Sequence, residues 1–506
     1  MSLAWGLFLL YIAGTTYLGW LGFKKTDNFS AFAIGLGDMH PFVVGITMAA
    51  SVASAATFII NPGFIYVHGF SALIHMGLAL CIGFCTMLII LSFKFRQLGE
   101  SSKALTMPDW ISKQFKSKAF GVYFSIVNLF ALAFVVLIVG GLSIVMQELL
   151  GLTNVMSLII ILTFVTGYVF IGGTYAHVFT NTLQGSLMLG VTVLILASGA
   201  YLFFEDQSFI SMLAEQDKNL IAPINPESNL FNDFFSVYLS GFLIGTALVC
   251  QPHILTKALY MKSDKQVKQY LIFGIVALVL FFLLPAAGFY ARLTVPADQL
   301  VDAASGAFRQ DLVMTAYIKN AFPEWLFTVI SVVLLAAGMS TLDGLLVSLS
   351  TITANDMILP IIAAKSKGTA TNEEQLKKAY TWSHVILVVI AIVAFLIALN
   401  PPQLLGIFGQ VGVYGMAVAA VPPLLIGIFW EDASLKITWW ISAITLFVHF
   451  FLYFFGAELF PQISLTFANP GVTASLALIV GAIPGVLLIW FLERLNKEKT
   501  KALPQR

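Results

Sequence analysis

The feature that most constrains this chain is the number and length of its apolar runs. Thirteen stretches are each long enough to cross a bilayer at roughly 20 residues per span. They lie near 3–23, 41–66, 71–93, 119–150, 153–172, 178–204, 234–256, 269–291, 324–354, 381–399, 403–430, 437–456 and 471–493. Charged residues make up 10% of the 506 positions and apolar ones 59%. Soluble domains carry roughly 25% charge. So few charges cannot cover a globular surface, which excludes a soluble enzyme, a nucleic-acid binder and a disordered scaffold. The class that remains is an all-α, polytopic helical membrane protein with 1–506 as one transmembrane domain. The first run has no basic residues before it, and Lys24 and Lys25 follow it. It therefore reads as a retained span rather than a cleaved signal.

Where the basic residues fall sets the orientation. Lys94, Arg96, Lys103, Lys113, Lys116 and Lys118 share one loop, and Lys257, Lys262, Lys265 and Lys268 another. Lys365, Lys367, Lys377 and Lys378 share a third, and Arg494, Lys497, Lys499, Lys501 and Arg506 lie in the tail. With thirteen spans and the N-terminus outside, 22 of the 26 Lys and Arg residues are cytoplasmic, leaving Lys218, Arg292, Arg309 and Lys319 outside. The expected setting is a bacterial plasma membrane, with the C-terminus in the cytoplasm. Cys81, Cys85 and Cys250 all sit inside apolar runs and build no disulfide or zinc framework. Neither G-x-x-x-x-G-K-[ST] nor H-E-x-x-H occurs, so any pumping must draw on an ion gradient.

Two spans are interrupted. The second reads GITMAASVASAATFIINPGFIYVHG, small and hydroxylated from Ala49 to Thr57, with Pro62 and Gly63 following. The seventh, GFLIGTALVCQPHILTKALY, carries Gly, Cys, Gln and Pro within the span. Five spans separate them, so they enter the membrane from opposite sides. Such a pair points to a transporter's binding site, because freed carbonyls must face protein or a cavity. Candidate residues along a solute pathway are Ser51, Ser54, Thr57, Gln251 and Gln410.

The ninth span holds Ser340, Thr341 and Asp343. Asp343 lies about 27 Å along the helix from Trp325, so its carboxylate costs at least ~2.5 kcal/mol unless it is paired, hydrated or bound to a cation. Ala337, Ser340 and Thr341 share one face at i, i+3, i+4. They could offer oxygens to a hard cation, or they could simply pack a small-residue helix interface with serine bonded to its own backbone. His75 and His449 read as buried hydrogen-bonding residues, and His253 sits at the cytoplasmic end of the seventh span.

Four motifs, taken in order, resemble the sodium:solute symporters. They are the small-residue stretch ending in P-G-x-x-Y (Pro62, Gly63, Tyr66), T-[DN]-x-x-Q-G (Thr180, Asn181, Gln184, Gly185), Q-P-H (Gln251, Pro252, His253) and A-A-x-x-S-T (Ala336, Ala337, Ser340, Thr341). The resemblance covers essentially the whole chain. It implies a 5+5 inverted-repeat bundle of the leucine-transporter type, with repeat 1 at about 41–204, repeat 2 at about 234–430, and accessory helices near 3–23, 437–456 and 471–493. It also implies a sodium ion held by the carbonyls of Ala50, Ala53 and Ala337 and the hydroxyls of Ser340 and Thr341.

Two departures from the family pattern stand out. Many members carry Asp where this chain has Asn181, and a small residue where it has Asp343. The resemblance places a second cation site there, built from Asn181, Asp343 and Ser340, with a proton on Asp343 as the alternative to a second ion. Proline carriers of the family place Trp and Tyr where this chain has Ile244 and Leu248, which argues against proline, and the P-G-x-x-Y-x-x-G stretch (Pro62, Gly63, Tyr66, Gly69) resembles the pantothenate and monocarboxylate branch more closely. The expected activity is sodium-coupled import of a small organic solute, a carboxylate or an amino acid, by alternating access. A solute sensor without transport and a passive channel are the competing readings. Expected partners are the solute and the lipid bilayer, with no nucleic acid and no obligate protein partner.

Overall fold

A computed structural model describes residues 3–34, 39–102, 104–301, 306–365, 372–402, 404–430 and 434–491. Among the basic residues used for orientation, Lys103, Lys367 and those of the tail lie outside this set. All regular structure among the described residues is helical, apart from one isolated bridge between Val301 and Phe308. Among the described residues ten helices are long and apolar enough to cross a bilayer, and two bent pairs meet the same test together.

One of the ten is Asn154–Phe203, at 50 residues. A straight helix of that length would span about 75 Å, more than twice the roughly 30 Å hydrocarbon thickness. It turns at Gly173, where φ is 49° and ψ is −136°. Glycine enters that region without the Cβ penalty, and a Cβ there would also meet the Phe32 ring at 2.5 Å. The sequence places two spans here, 153–172 and 178–204, and the count reaches thirteen only if the stretch is divided at this turn.

The two bent pairs are the two interrupted spans. Pro41–Val52 and Ala56–His68 meet at 53°, and Phe235–Leu248 and Pro252–Tyr260 at 64°. Each packs closely on the helix that follows the other. Pro41–Val52 lies on Asp264–Leu283, where a Cβ on Gly45 would come within 2.7 Å of the Tyr270 carbonyl. Ser240–Leu248 lies on Leu80–Ser102, where Cβ atoms on Gly83 and Gly245 would come within 2.1 Å and 2.2 Å of the facing carbonyls of Phe242 and Leu80. With lipid outside, such close approach of small residues does the packing work that the hydrophobic effect does in water.

The helix Glu324–Ile352 runs through the centre, packed against Asn154–Ser198 and Leu132–Leu150. From Ile330 onward nearly every residue is buried. A helix buried all round has no lipid face to supply, which explains why polar residues can be concentrated on it.

Candidate functional site

The first break exposes backbone. The N–H of Ser54 bonds to the Val52 carbonyl at 3.0 Å, so the Ala50 carbonyl loses its usual i+4 donor. Side chains of the central helix take its place. The Ser340 hydroxyl lies 2.9 Å from the Ala50 carbonyl and 2.7 Å from the Ala337 carbonyl. The Thr341 hydroxyl donates to the Ser51 carbonyl at 3.1 Å. Ala50, Ala53, Ser340 and Thr341 are fully or almost fully buried. Of the five oxygens expected for the sodium ion, those of Ala50, Ala337 and Ser340 converge directly. Thr341 meets the carbonyl of Ser51 rather than that of Ala53.

Asn181 closes the group from a third helix. Its amide nitrogen donates to the Ser340 carbonyl at 2.7 Å and to the Ser51 hydroxyl at 3.2 Å. A carbonyl accepts only, so the nitrogen is fixed on that side. The amide oxygen, Oδ1, is then left buried without a hydrogen-bond partner. A buried orphan acceptor beside converging carbonyls and hydroxyls is the surrounding that an uncharged-oxygen cation site provides. Such a donor set suits a hard monovalent ion, with no thiolate or imidazole to favour a transition metal. No cluster of three His, Cys, Asp or Glu that could hold a metal ion occurs among the described residues.

The remaining members of the T-[DN]-x-x-Q-G motif also have defined contacts. Gln184 donates to the Tyr11 hydroxyl at 2.7 Å. Gly185 admits the first broken helix, since a Cβ there would meet Ile46 at 2.8 Å and Ala50 at 3.0 Å.

Asp343 departs from expectation. It bonds neither Asn181 nor Ser340. Its Oδ1 lies 2.8 Å from Nδ1 of His177, and its Oδ2 accepts from the hydroxyls of Tyr168 at 3.0 Å and Thr180 at 3.2 Å. Nε2 of His177 is in turn 2.7 Å from Nζ of Lys257. An ammonium can only donate, so Nε2 accepts and Nδ1–H donates to Asp343. Asp343, His177 and Lys257 are 0%, 3% and 1% exposed. Of the expected grouping of Asn181, Asp343 and Ser340, Asn181 and Ser340 are joined directly, while Asp343 faces His177, Tyr168 and Thr180 instead. The acid stands one turn past Ser340 and level with His177 and Thr180, where protein donors already occupy both of its oxygens.

Sequence reasoning missed Tyr168, His177 and Lys257. His177 stands four residues before Asn181, a helical spacing that could have flagged it. Lys257 counted only as a charge for orientation, yet the second break bends its short helix inward.

The pathway residues scatter more widely. Ser51 donates to the Thr47 carbonyl at 2.8 Å, and the Ser54 hydroxyl accepts from the Ala56 N–H at 3.1 Å. Gln251 sits at the second break, with Oε1 buried and unpaired. Its neighbouring helix Pro252–Leu255 touches both Pro41–Val52 and Glu324–Ile352. Thr57 lies buried in the π-turn Ala56–Ile60, and Gln410 is half-buried on Leu405–Phe429. No hydrogen bond joins either of them to a break among the described residues.

The fold matches that of a Na+-coupled sialic acid symporter solved in a substrate-bound, outward-open state. The TM-score is 0.74 at 17% identity, covering 96% of this chain and 98% of that one. The sodium/pantothenate symporter of Haemophilus influenzae is 26% identical over 436 residues, 85% of either chain. That of Escherichia coli K12 is 26% identical over 417 residues, 82% of either chain. The model of the sodium:solute symporter family matches residues 32–436. The chain thus belongs to the sodium:solute symporter family, a multi-pass membrane transporter that couples solute import to sodium.

Proposed function

We propose that this symporter imports a small organic carboxylate, with pantothenate as the first candidate, by alternating access driven by one sodium ion. The observation that carries the reading is the convergence of the Ala50, Ala337 and Ser340 oxygens across the first break. One ion held there would join the broken helix to the central helix, so its binding and release would bias how the two sit. The carboxylate class rests on the two pantothenate symporters among the relatives and on the absence of Trp and Tyr at Ile244 and Leu248. The mutual packing of each broken helix on the helix after the other supports two inverted repeats, about 41–204 and 234–430. Read by the positive-inside rule, the Lys and Arg distribution favours an outside N-terminus and a cytoplasmic C-terminus.

A single ion is favoured because Asp343 has its counter-charge within the protein, in Lys257 through His177. A second sodium or a coupled proton is not needed to neutralise it. Symport of one sodium ion with a monovalent carboxylate moves no net charge, so the sodium concentration gradient alone drives it. A tenfold sodium gradient supplies ~1.4 kcal/mol and supports about tenfold accumulation. Radiolabelled uptake into proteoliposomes, screened across pantothenate, short monocarboxylates and amino acids with sodium or potassium outside, tests the proposal. Sodium-dependent accumulation of a carboxylate is expected; accumulation of neutral or zwitterionic solutes alone would reject the carboxylate assignment.

A further inference from the structure

A small cavity of about 30 Å³ lies where the second broken helix, the central helix and the stretch beyond Gly173 meet. Its wall includes Thr174, His177, His253, Lys257, Ser348 and Thr351. Among the described residues that line it there is no carboxylate. Two acids stand behind the wall: Asp343, bonded to His177, and Asp356, which accepts from the Thr106 hydroxyl at 2.6 Å. Both are buried and already hold hydrogen bonds.

Lys257 is the unusual member of this wall. Its ammonium is 1% exposed and makes one hydrogen bond, to His177. The other nearby group is the face of the Tyr260 ring, 5.9 Å from Nζ. Two of its three N–H donors thus have no hydrogen-bond acceptor among the described residues. A buried charge with unused donors is expensive unless something accepts from them. Of the neighbouring groups, Ser348 and His253 can add donors to an incoming anion, while Thr174, Thr351 and His177 already spend theirs within the protein. The charge of Lys257 is already balanced by Asp343 through His177, so what the ammonium offers an incoming carboxylate is its two unused N–H donors.

We propose that the cavity at Lys257 is a binding site for the carboxylate group of the transported solute, on the cytoplasmic side of the breaks. This rests on the carboxylate reading given above. Lys257 lies six residues beyond Gln251, on the far side of the second break from Ser240–Leu248. A carboxylate released from between the breaks would meet it before reaching the cytoplasm. The same ammonium then serves two acceptors, His177 permanently and the solute in passing.

The test uses the full chain with Cys81, Cys85 and Cys250 replaced by serine and a single new thiol, Ser348→Cys, in the cavity wall. Inside-out proteoliposomes are treated with an anionic and a cationic methanethiosulfonate of similar size. The ratio of their reaction rates reads the local charge, because any change in the thiol itself cancels. We expect the anionic reagent to be favoured, Lys257→Met to lower the ratio by at least ~10-fold, and Lys257→Arg to keep it. Sodium pantothenate or sodium propionate should slow the reaction, while the neutral alcohol pantothenol should not. Chloride or phosphate protecting as well as the carboxylates would overturn the assignment in favour of a general anion site. An unchanged ratio in Lys257→Met, or no protection by either carboxylate, would overturn it outright. If Lys257→Met does not fold, the Lys257→Arg ratio and the protection series decide. Sodium-driven uptake is measured separately, so its absence alongside carboxylate protection would count against the proposed function and not against this site.

Discussion

The hydroxyl of Ser340 lies 2.9 Å from the backbone carbonyl of Ala50, across 290 residues of sequence. That contact joins the break in the first interrupted helix to the buried central helix Glu324–Ile352. An ion that replaced the hydroxyl proton as the carbonyl's partner would hold the same two helices, with the serine oxygen now also donating electron density.

Removing one of these oxygens should weaken sodium selectively. Ser340→Ala is expected to raise the sodium concentration for half-maximal uptake by about 10-fold or more, the loss of one strong ligand at ~1.4 kcal/mol. Thr341→Ala should act in the same direction. At saturating sodium the solute KM should change far less. Wild-type sodium activation curves in both variants would show that the ion sits elsewhere.

The charge pair should behave as a unit. Asp343→Asn leaves Lys257 buried without its counter-charge, and Lys257→Met does the reverse to Asp343. Breaking such a pair from one side costs ~3–5 kcal/mol. Each single variant should therefore lose thermal stability and concentrative uptake, while the double variant should recover stability. A coupling near zero in the double-mutant cycle would mean that His177 does not connect the two.

Access should depend on ligands. After removal of Cys81, Cys85 and Cys250, a cysteine at Ala56 or Thr57 should react with an impermeant thiol reagent at a rate that sodium and solute change. Both positions follow the break, so opening to one side alters their exposure. A rate indifferent to both ligands would take this stretch out of the pathway.

Gly173→Ala should be costly although nothing functional touches it. Its backbone, at φ 49° and ψ −136°, is one a residue with a Cβ adopts only at a cost of ~1–3 kcal/mol, and the added carbon would meet Phe32 at 2.5 Å. A clear drop in unfolding temperature is expected, with the residual folded protein keeping its sodium dependence.

Much of this arrangement could be read from residue order alone. The two interruptions showed in the sequence because small residues, Pro and Gly inside apolar runs are rare and locally decisive. Ala337, Ser340 and Thr341 showed because i, i+3, i+4 spacing defines one helix face before any tertiary contact is known. The partners of Asp343 could not be found that way. Tyr168 precedes the turn at Gly173, His177 and Thr180 follow it, and Lys257 arrives only because the second break tips its short helix inward. Each depends on a bend whose direction the sequence does not encode locally. The two spans 153–172 and 178–204 became one long stretch for a related reason, because a single glycine turns the chain without ending the helical hydrogen bonding on either side.

The proposed driving ion is one sodium at the Ala50–Ser340 contact. The sodium activation curve of carboxylate accumulation in proteoliposomes, measured with and without an imposed sodium gradient, reports on it directly. Accumulation should collapse when potassium replaces sodium, with a Hill slope near one and a curve shifted to higher sodium by Ser340→Ala. Uptake that proceeds equally well in potassium, or a Hill slope near two that Ser340→Ala leaves in place, would rule the single ion out.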